Sequence, residues 1–414
     1  MADLAELTLH DIEVSAPKRT WQEAEATDAR AGSGPGARLS STENAPQRFV
    51  FTGSGAEYFR IWVVNLLLTI LTLGIYSAWA KVRRMQYFYR NTRVAGAIFD
   101  YHGNPKAILK GRAIALGLLL AYKVASGMSP LAALPFALLF CAIMPFLLAR
   151  SFRFKLINSS YRGLRFRFAG SVADAYRALS LLPIMLAIVG FVLWSVLTSF
   201  SRNPGVGTVV VMLLAVVIVL AMIPLAHFQL KRYQHDKAYF GQTPIFFHAG
   251  VGDFFKIYGR AVGCLFLGGV SAKAFALMTG KIFLLLQATA FGWLFTMLYA
   301  PLSAYASYLF VSPYIQSRIQ NLVWNQTELG MNRFESTVSA RHLLWIHASN
   351  VFLIVLTLGL YKPFGAIRLL KYRVESMCLL PESDLESFLT DQAGDNAGAL
   401  GQEAGDVFDM DIAL

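Results

Sequence analysis

The sequence predicts an all-α polytopic membrane protein with internal repeats: three transmembrane helical hairpins, two terminal segments broken at Thr-Leu-Gly, and a small cytoplasmic β layer. Three observations predict it. Long uncharged stretches come in pairs, a short aromatic-glycine pattern recurs between them, and the first apolar segment returns near the far end of the chain. Composition points the same way: 56% of the 414 residues are hydrophobic and 15% are charged, with a mean hydropathy of +0.49. Those values lie outside the ordinary soluble range.

Residues 1–47 carry eight acidic and four basic side chains among Ala, Gly, Ser and Pro, a composition that predicts a disordered tail. They show no charged segment followed by an apolar core, so no signal peptide is read there. The membrane domain is expected over 48–380. It opens with Phe49-x-Phe51-x-Gly53, period-2 aromatics closed by glycine, which reads as a short strand ending in a turn. Ile61–Ala80 then runs for twenty residues without a charge, enough for roughly 30 Å of hydrocarbon. A shift of 285 positions places Asn65 on Asn350, Thr72-Leu73-Gly74 on Thr357-Leu358-Gly359, Tyr76 on Tyr361, Arg83 on Arg368 and Tyr87 on Tyr372. That many matches in one frame point to a duplication.

The strand pattern recurs too. Asn91-Thr92-x-x-x-Gly96-x-x-Phe99-x-Tyr101-x-Gly103 returns as Asn158-Ser159-x-x-x-Gly163-x-x-Phe166-x-Phe168-x-Gly170. Looser echoes are Gly241 with Ile245-x-Phe247-x-Ala249, and Asn325 with Gly330 and Phe334.

Together, Phe49-x-Phe51-x-Gly53, Glu57-Tyr58-Phe59, the run Thr72–Arg83 and Asn91-Thr92 resemble the bacterial YjgN family, also called DUF898, over roughly 48–380. The resemblance implies a bacterial inner-membrane protein and supplies no catalytic residues. The second Thr-Leu-Gly copy departs from the pattern, with Lys362-Pro363-Phe364 where the first has Ser77-Ala78-Trp79.

Between the terminal copies, Ala107–Ala125 pairs with Leu131–Ala149, Ala178–Phe200 with Val206–Gln229, and Ile257–Thr279 with Ile282–Val311. Short breaks rich in Gly, Ser and Pro read as tight hairpin turns. Twenty-seven Lys and Arg lie on the side of the strand motifs and four at the outer turns. The positive-inside rule therefore puts the motifs in the cytoplasm. If each terminal segment crossed once, both tails would lie outside against that rule; if each turns back at Thr-Leu-Gly, both tails stay cytoplasmic. The second reading is preferred, with Tyr76–Asn91 as an amphipathic helix at the headgroups. Thr72, Leu73 and Gly74, with Thr357, Leu358 and Gly359, are the candidate helix breaks. Trp79, Lys81, Arg83, Arg84 and Arg90 are the candidate headgroup-binding residues. Asn65, Asn350 and Lys273 are the candidate intramembrane polar groups.

Residues 381–414 hold nine acidic residues and no basic ones, a second disordered tail. Its Val407–Ile412 alternation of apolar and acidic residues offers a protein-docking motif as the alternative to a solvated end.

No catalytic, metal or cofactor motif is found. His342 and His347 are five residues apart, without the one-face spacing of helical metal ligands. Cys141, Cys264 and Cys378 form neither a disulfide framework nor a metal set. Glu57, Asp174 and Asp253 each precede a base by three residues, which suits either helix-dipole compensation or pairing between repeats. The expected role is transport or channel-like, for a small solute or lipid. The alternative is a non-catalytic lipid-binding or membrane-organising scaffold. Anionic membrane lipids are the expected partners; nucleic acid and enzymatic activity are not expected.

Overall fold

The computed structural model describes residues 45–199, 205–265 and 290–382. Nearly all of both expected tails and residues 266–289, which hold Lys273 and the turn of the third expected hairpin, lie outside the described residues. Two compact units divide the chain.

The larger unit comprises the described residues within 45–248, 327–334 and 378–382. It carries the strands, built from a repeated hairpin of a three-residue and a five-residue strand. The hairpins are β3 (Thr92–Val94) with β4 (Ala97–Tyr101), β5 (Ser159–Tyr161) with β6 (Leu164–Phe168), β7 (Ala238–Phe240) with β8 (Thr243–Phe247), and β9 (Thr327–Leu329) with β10 (Asn332–Ser336). In the first two, both turn residues have positive φ: Ala95 at 46° with Gly96 at 74°, and Arg162 at 49° with Gly163 at 81°. Two-residue hairpins need that twist.

Each long strand serves two partners. Its first residues pair with its own short strand, and its last three pair with the next one: Phe99, Asp100 and Tyr101 oppose Tyr161, Ser160 and Ser159. Phe166, Arg167 and Phe168 likewise oppose Phe240, Tyr239 and Ala238. The remaining strands are β1 (Gln47–Arg48), β2 (Val50–Phe51) and β11 (Met377–Leu380). β1 pairs with β11 and β2 with β3, so one five-residue stretch joins both ends of the eleven-stranded antiparallel order. Only Phe49 separates the two edges, and the strand order closes on itself.

The aromatic-x-glycine pattern now has a physical reason. The last residue of β2 and of the long strands β4, β6 and β8 buries its ring against a helix: Phe51 on Phe88, Tyr101 on Tyr89, Phe168 on Phe152 and Tyr233, Phe247 on His235. The chain then folds back over that ring. A Cβ at Gly53, Gly103 or Gly170 would stand 2.7, 2.5 or 2.5 Å from the preceding aromatic, so a side chain there would force a shift.

The helices of this unit are α1 (Gly55–Leu71), α2 (Ser77–Arg90), α3 (Pro105–Met128), α4 (Pro130–Ile157), α5 (Val172–Ala178), α6 (Leu181–Ser199) and α7 (Val206–Asp236). α1 packs on α2, α3 on α4 and α6 on α7. The smaller unit comprises the described residues within 249–326 and 335–377. It holds α8 (251–265), α9 (Ala290–Asn325), α10 (Ala340–Leu356) and α11 (Lys362–Glu375). α10 packs on both α9 and α11.

This architecture overturns the all-α class with three transmembrane hairpins. The β component is an eleven-stranded sheet rather than a small layer. Among the described residues, two helical stretches are long and apolar enough to cross a membrane, Val172–Val192 and Val206–Asp236. Hydropathy dominated the sequence reading because every described strand is five residues or shorter and long helices separate one hairpin from the next. The sheet becomes visible only through pairings between distant strands.

Candidate headgroup interface

α1 starts where Ser54 accepts a hydrogen bond from the Glu57 backbone N–H at 3.2 Å, an N-cap with an acid in the first turn. It ends at Leu71 in a Schellman motif: Gly74 N donates to the Thr69 carbonyl at 2.7 Å and Leu73 N to the Ile70 carbonyl at 3.1 Å. The residue in the left-handed region at the first position past the cap is Leu73, φ 49°, with Gly74 following at 95°. Thr72 bridges the break. Its hydroxyl donates to the Leu68 carbonyl at 2.7 Å and accepts from the Tyr76 N–H at 2.9 Å, capping the start of α2.

The smaller unit holds the same device 285 residues later. Thr357 donates to the Leu353 carbonyl at 2.7 Å and accepts from the Tyr361 N–H at 3.0 Å, and Leu358 and Gly359 have φ 49° and 95°. A tyrosine pins the far end of each pair. Tyr87 Oη accepts from Ser54 N at 2.9 Å and lies 3.0 Å from Glu57 Oε2; Tyr372 Oη accepts from Ser339 N at 2.7 Å. Burial, reinforced by the Glu57 hydrogen bond, pushes the Tyr87 phenol up to about 12, so it stays a donor.

α2 is amphipathic. Ala78, Val82, Met85, Phe88 and Tyr89 form its buried face. Of the candidate headgroup residues, Arg83 is exposed, while Trp79, Lys81 and Arg84 are half-buried. The Trp79 ring stacks on Tyr76 at 6.2 Å. Arg84 Nε is buried without a hydrogen-bond partner among the described residues. Arg90 is engaged elsewhere, 2.8 Å from Asp100, and this pairing holds the Asp100 carboxyl below its usual range despite partial burial that raises it. The structure therefore puts Trp79, Lys81, Arg83 and Arg84 in the first eight residues of α2 and ties Arg90 to β4.

Asn65 and Asn350 are buried within their helix pairs. Asn350 Nδ2 donates to the Gly365 carbonyl at 3.1 Å, and a Cβ at Gly365 would press on that side chain at 3.1 Å. Acid–base pairing after the strands is local: Arg177 with Asp174 at 2.6 Å and Lys256 with Asp253 at 2.9 Å. Among the described residues no three His, Cys, Asp or Glu side chains assemble as a metal site.

Sequence reasoning missed Arg112. From α3 it donates to Ser77 Oγ, putting a cation at the start of α2. Position 77 aligns with 362 under the 285 shift, and residue 362 is an exposed lysine. That alignment is the signal that could have flagged it.

Two helical stretches apolar and long enough to cross a membrane agree with the membrane class that the following relatives carry. The family described as "Bacterial protein of unknown function (DUF898)" matches residues 46–407, and the chain belongs to that family. Its relatives include a Salmonella typhimurium protein named "Inner membrane protein YjgN", 27% identical over 379 residues covering 84% of this chain and 92% of the relative. An Escherichia coli K12 protein of the same name is 32% identical over 177 residues, 41% of this chain and 43% of that protein. No solved structure matches.

Proposed function

We propose that this chain is a bacterial inner-membrane protein acting as a non-catalytic lipid-binding, membrane-organising scaffold. In this reading the strand circuit and both tails lie in the cytoplasm, and α6–α7 crosses the bilayer. The 285-residue offset is read as an internal duplication. The observation that carries the proposal is the groove between α6 and α7, lined by apolar residues such as Ile184, Phe191, Val211 and Leu214. Such a surface suits acyl chains, while Lys81, Arg83 and Arg84 suit anionic headgroups. The transport-like role draws less support. The break hydroxyls of Thr72 and Thr357 are bonded within their own turns, whereas a substrate path needs polar groups facing the solute.

The test is lipid analysis of the full chain extracted in polymer nanodiscs. Enrichment of phosphatidylglycerol and cardiolipin over the bulk membrane is expected, falling toward bulk in the Lys81→Gln/Arg83→Gln/Arg84→Gln variant. Bulk-like lipid around the unaltered protein would overturn the reading.

A further inference from the structure

We propose that Leu73 and Leu358 are bilayer wedges: side chains held in a disfavoured backbone conformation so that each tip inserts into the outermost acyl layer beneath anionic headgroups. The first position past the cap in a Schellman motif favours glycine, or asparagine, because a Cβ in the left-handed region is crowded. Both hairpins place leucine there at φ 49° and move glycine one residue on. Packing does not account for this choice, since the two leucines are 96% and 95% exposed. Exposed apolar neighbours extend each tip: Leu71 and Ile75 beside the first, Leu356 and Leu360 beside the second. A strained conformation kept at matching positions, carrying an apolar group into the surroundings, points to what the side chain meets there.

Charge sets the depth. Arg112, the last charge on α3 before ten uncharged residues, contacts Ser77, three positions beyond Gly74. The first tip therefore lies four residues along the chain from a side chain that a cation touches. In the smaller unit Lys362 occupies the aligned position and is exposed, three residues after Gly359. A cation within a few residues of an apolar tip matches the step from lipid phosphate to upper acyl chain, and a tip reaching the bilayer centre would drag its charge along. The occupant with both chemistries at that spacing is an anionic bilayer.

The inference rests on the inner-membrane reading above, and its test separates the two. In the full chain with Cys141, Cys264 and Cys378 replaced by alanine, Leu73→Cys, Leu358→Cys and, as a reference on the exposed side of α7, Leu213→Cys each receive an NBD fluorophore. The proteins are reconstituted into phosphatidylethanolamine/phosphatidylglycerol vesicles carrying nitroxides at acyl carbon 5 or 12. Blue-shifted emission is expected at 73 and 358, quenched at least twofold more by carbon 5 than by carbon 12 and shielded from aqueous iodide. Iodide-accessible, red-shifted emission at the tips with lipid quenching at 213 would overturn the wedge and leave the membrane reading intact; loss of lipid quenching at 213 would overturn both. Stronger carbon-12 quenching would mean deep re-entry, and a blue shift without lipid quenching would mean burial against a second copy; either overturns the proposal. Leu73→Gly supplies an independent arm. Its Tm in detergent should equal or exceed that of the parent, and a drop of several degrees would make Leu73 a packing residue and overturn the wedge.

Discussion

The first helix pair, α1–α2, and the last, α10–α11, share a backbone and differ in their cores. Both break at Thr-Leu-Gly with the same φ values, both use a threonine bridge, and both are pinned by a tyrosine to the serine before the pair. Their interiors diverge. Phe88, 2% exposed, packs on Phe51 and Tyr58, whereas the aligned Arg373, also 2% exposed, donates from Nε to Gln320 Oε1 at 2.9 Å. The helix ends carry opposite charges, Arg90 against Asp100 in one and Glu375 against Lys371 in the other. The lesson is that the turn is the invariant and the packing beneath it is negotiable.

The sharpest way to break that comparison is at the core. Phe88→Ala should cost about 3–5 kcal/mol, as large aromatic truncations do. Replacing Arg373 and Gln320 together by leucine should cost less than the Phe88 truncation, because both partners of the buried hydrogen bond leave together and neither is stranded. Thermal unfolding in detergent reads both; a large loss from the double leucine would show that the polar core is not interchangeable with the aromatic one.

Next come the glycines. Gly74→Val and Gly359→Val have open space around the added side chain but a φ of 95° that valine resists. Each should cost about 1–3 kcal/mol, and both variants should accumulate poorly in cells. Equal losses sharpen the comparison, and a tolerated substitution at either site breaks it. The threonine bridges follow: Thr72→Val or Thr357→Val removes the cap of the second helix and should lower stability by about 1 kcal/mol, seen as faster amide exchange at Tyr76 or Tyr361.

The smallest effect tests the charge reversal. Asp100 is depressed in the folded state, so its contribution is present above the unfolded value near 3.9 and is lost as pH falls through the lower folded value. For a pair this exposed it should stay under about 1 kcal/mol. The Tm difference between Asp100→Asn and the parent should be measurable at pH 6 and vanish near pH 2. A difference that persists at pH 2 would assign the effect to shape rather than charge.

Much of this was legible locally. The period-2 aromatics closed by glycine mark the long strands, and even in the loose echo Gly330 and Phe334 fall on a hairpin, with Asn325 ending the helix before it. The Thr-Leu-Gly repeat marks both helix ends. What could not be read was long-range: Gln47 opposes Leu379 across more than three hundred residues, and no local periodicity records a partner. The break hid a subtler point. Glycine is the obvious bearer of positive φ, so a leucine beside it sharing the left-handed region leaves no trace in composition. Arg112 was missed because a guanidinium reaching a neighbouring helix is a tertiary fact.

Closure of the strand order has a consequence for biosynthesis. Among the described strands, Gln47–Phe51 is made first, yet half of it waits for Met377–Leu380, the last of them. Until then β1 and β10 each present an open edge, the kind that recruits foreign strands, and joining ends so distant is slow. A chain released before residue 377 would keep both edges bare. The ring thus makes synthesis of β11 a condition for leaving the aggregation-prone state, and ribosome-release products ending just short of β11 should be the ones that chaperones and proteases capture.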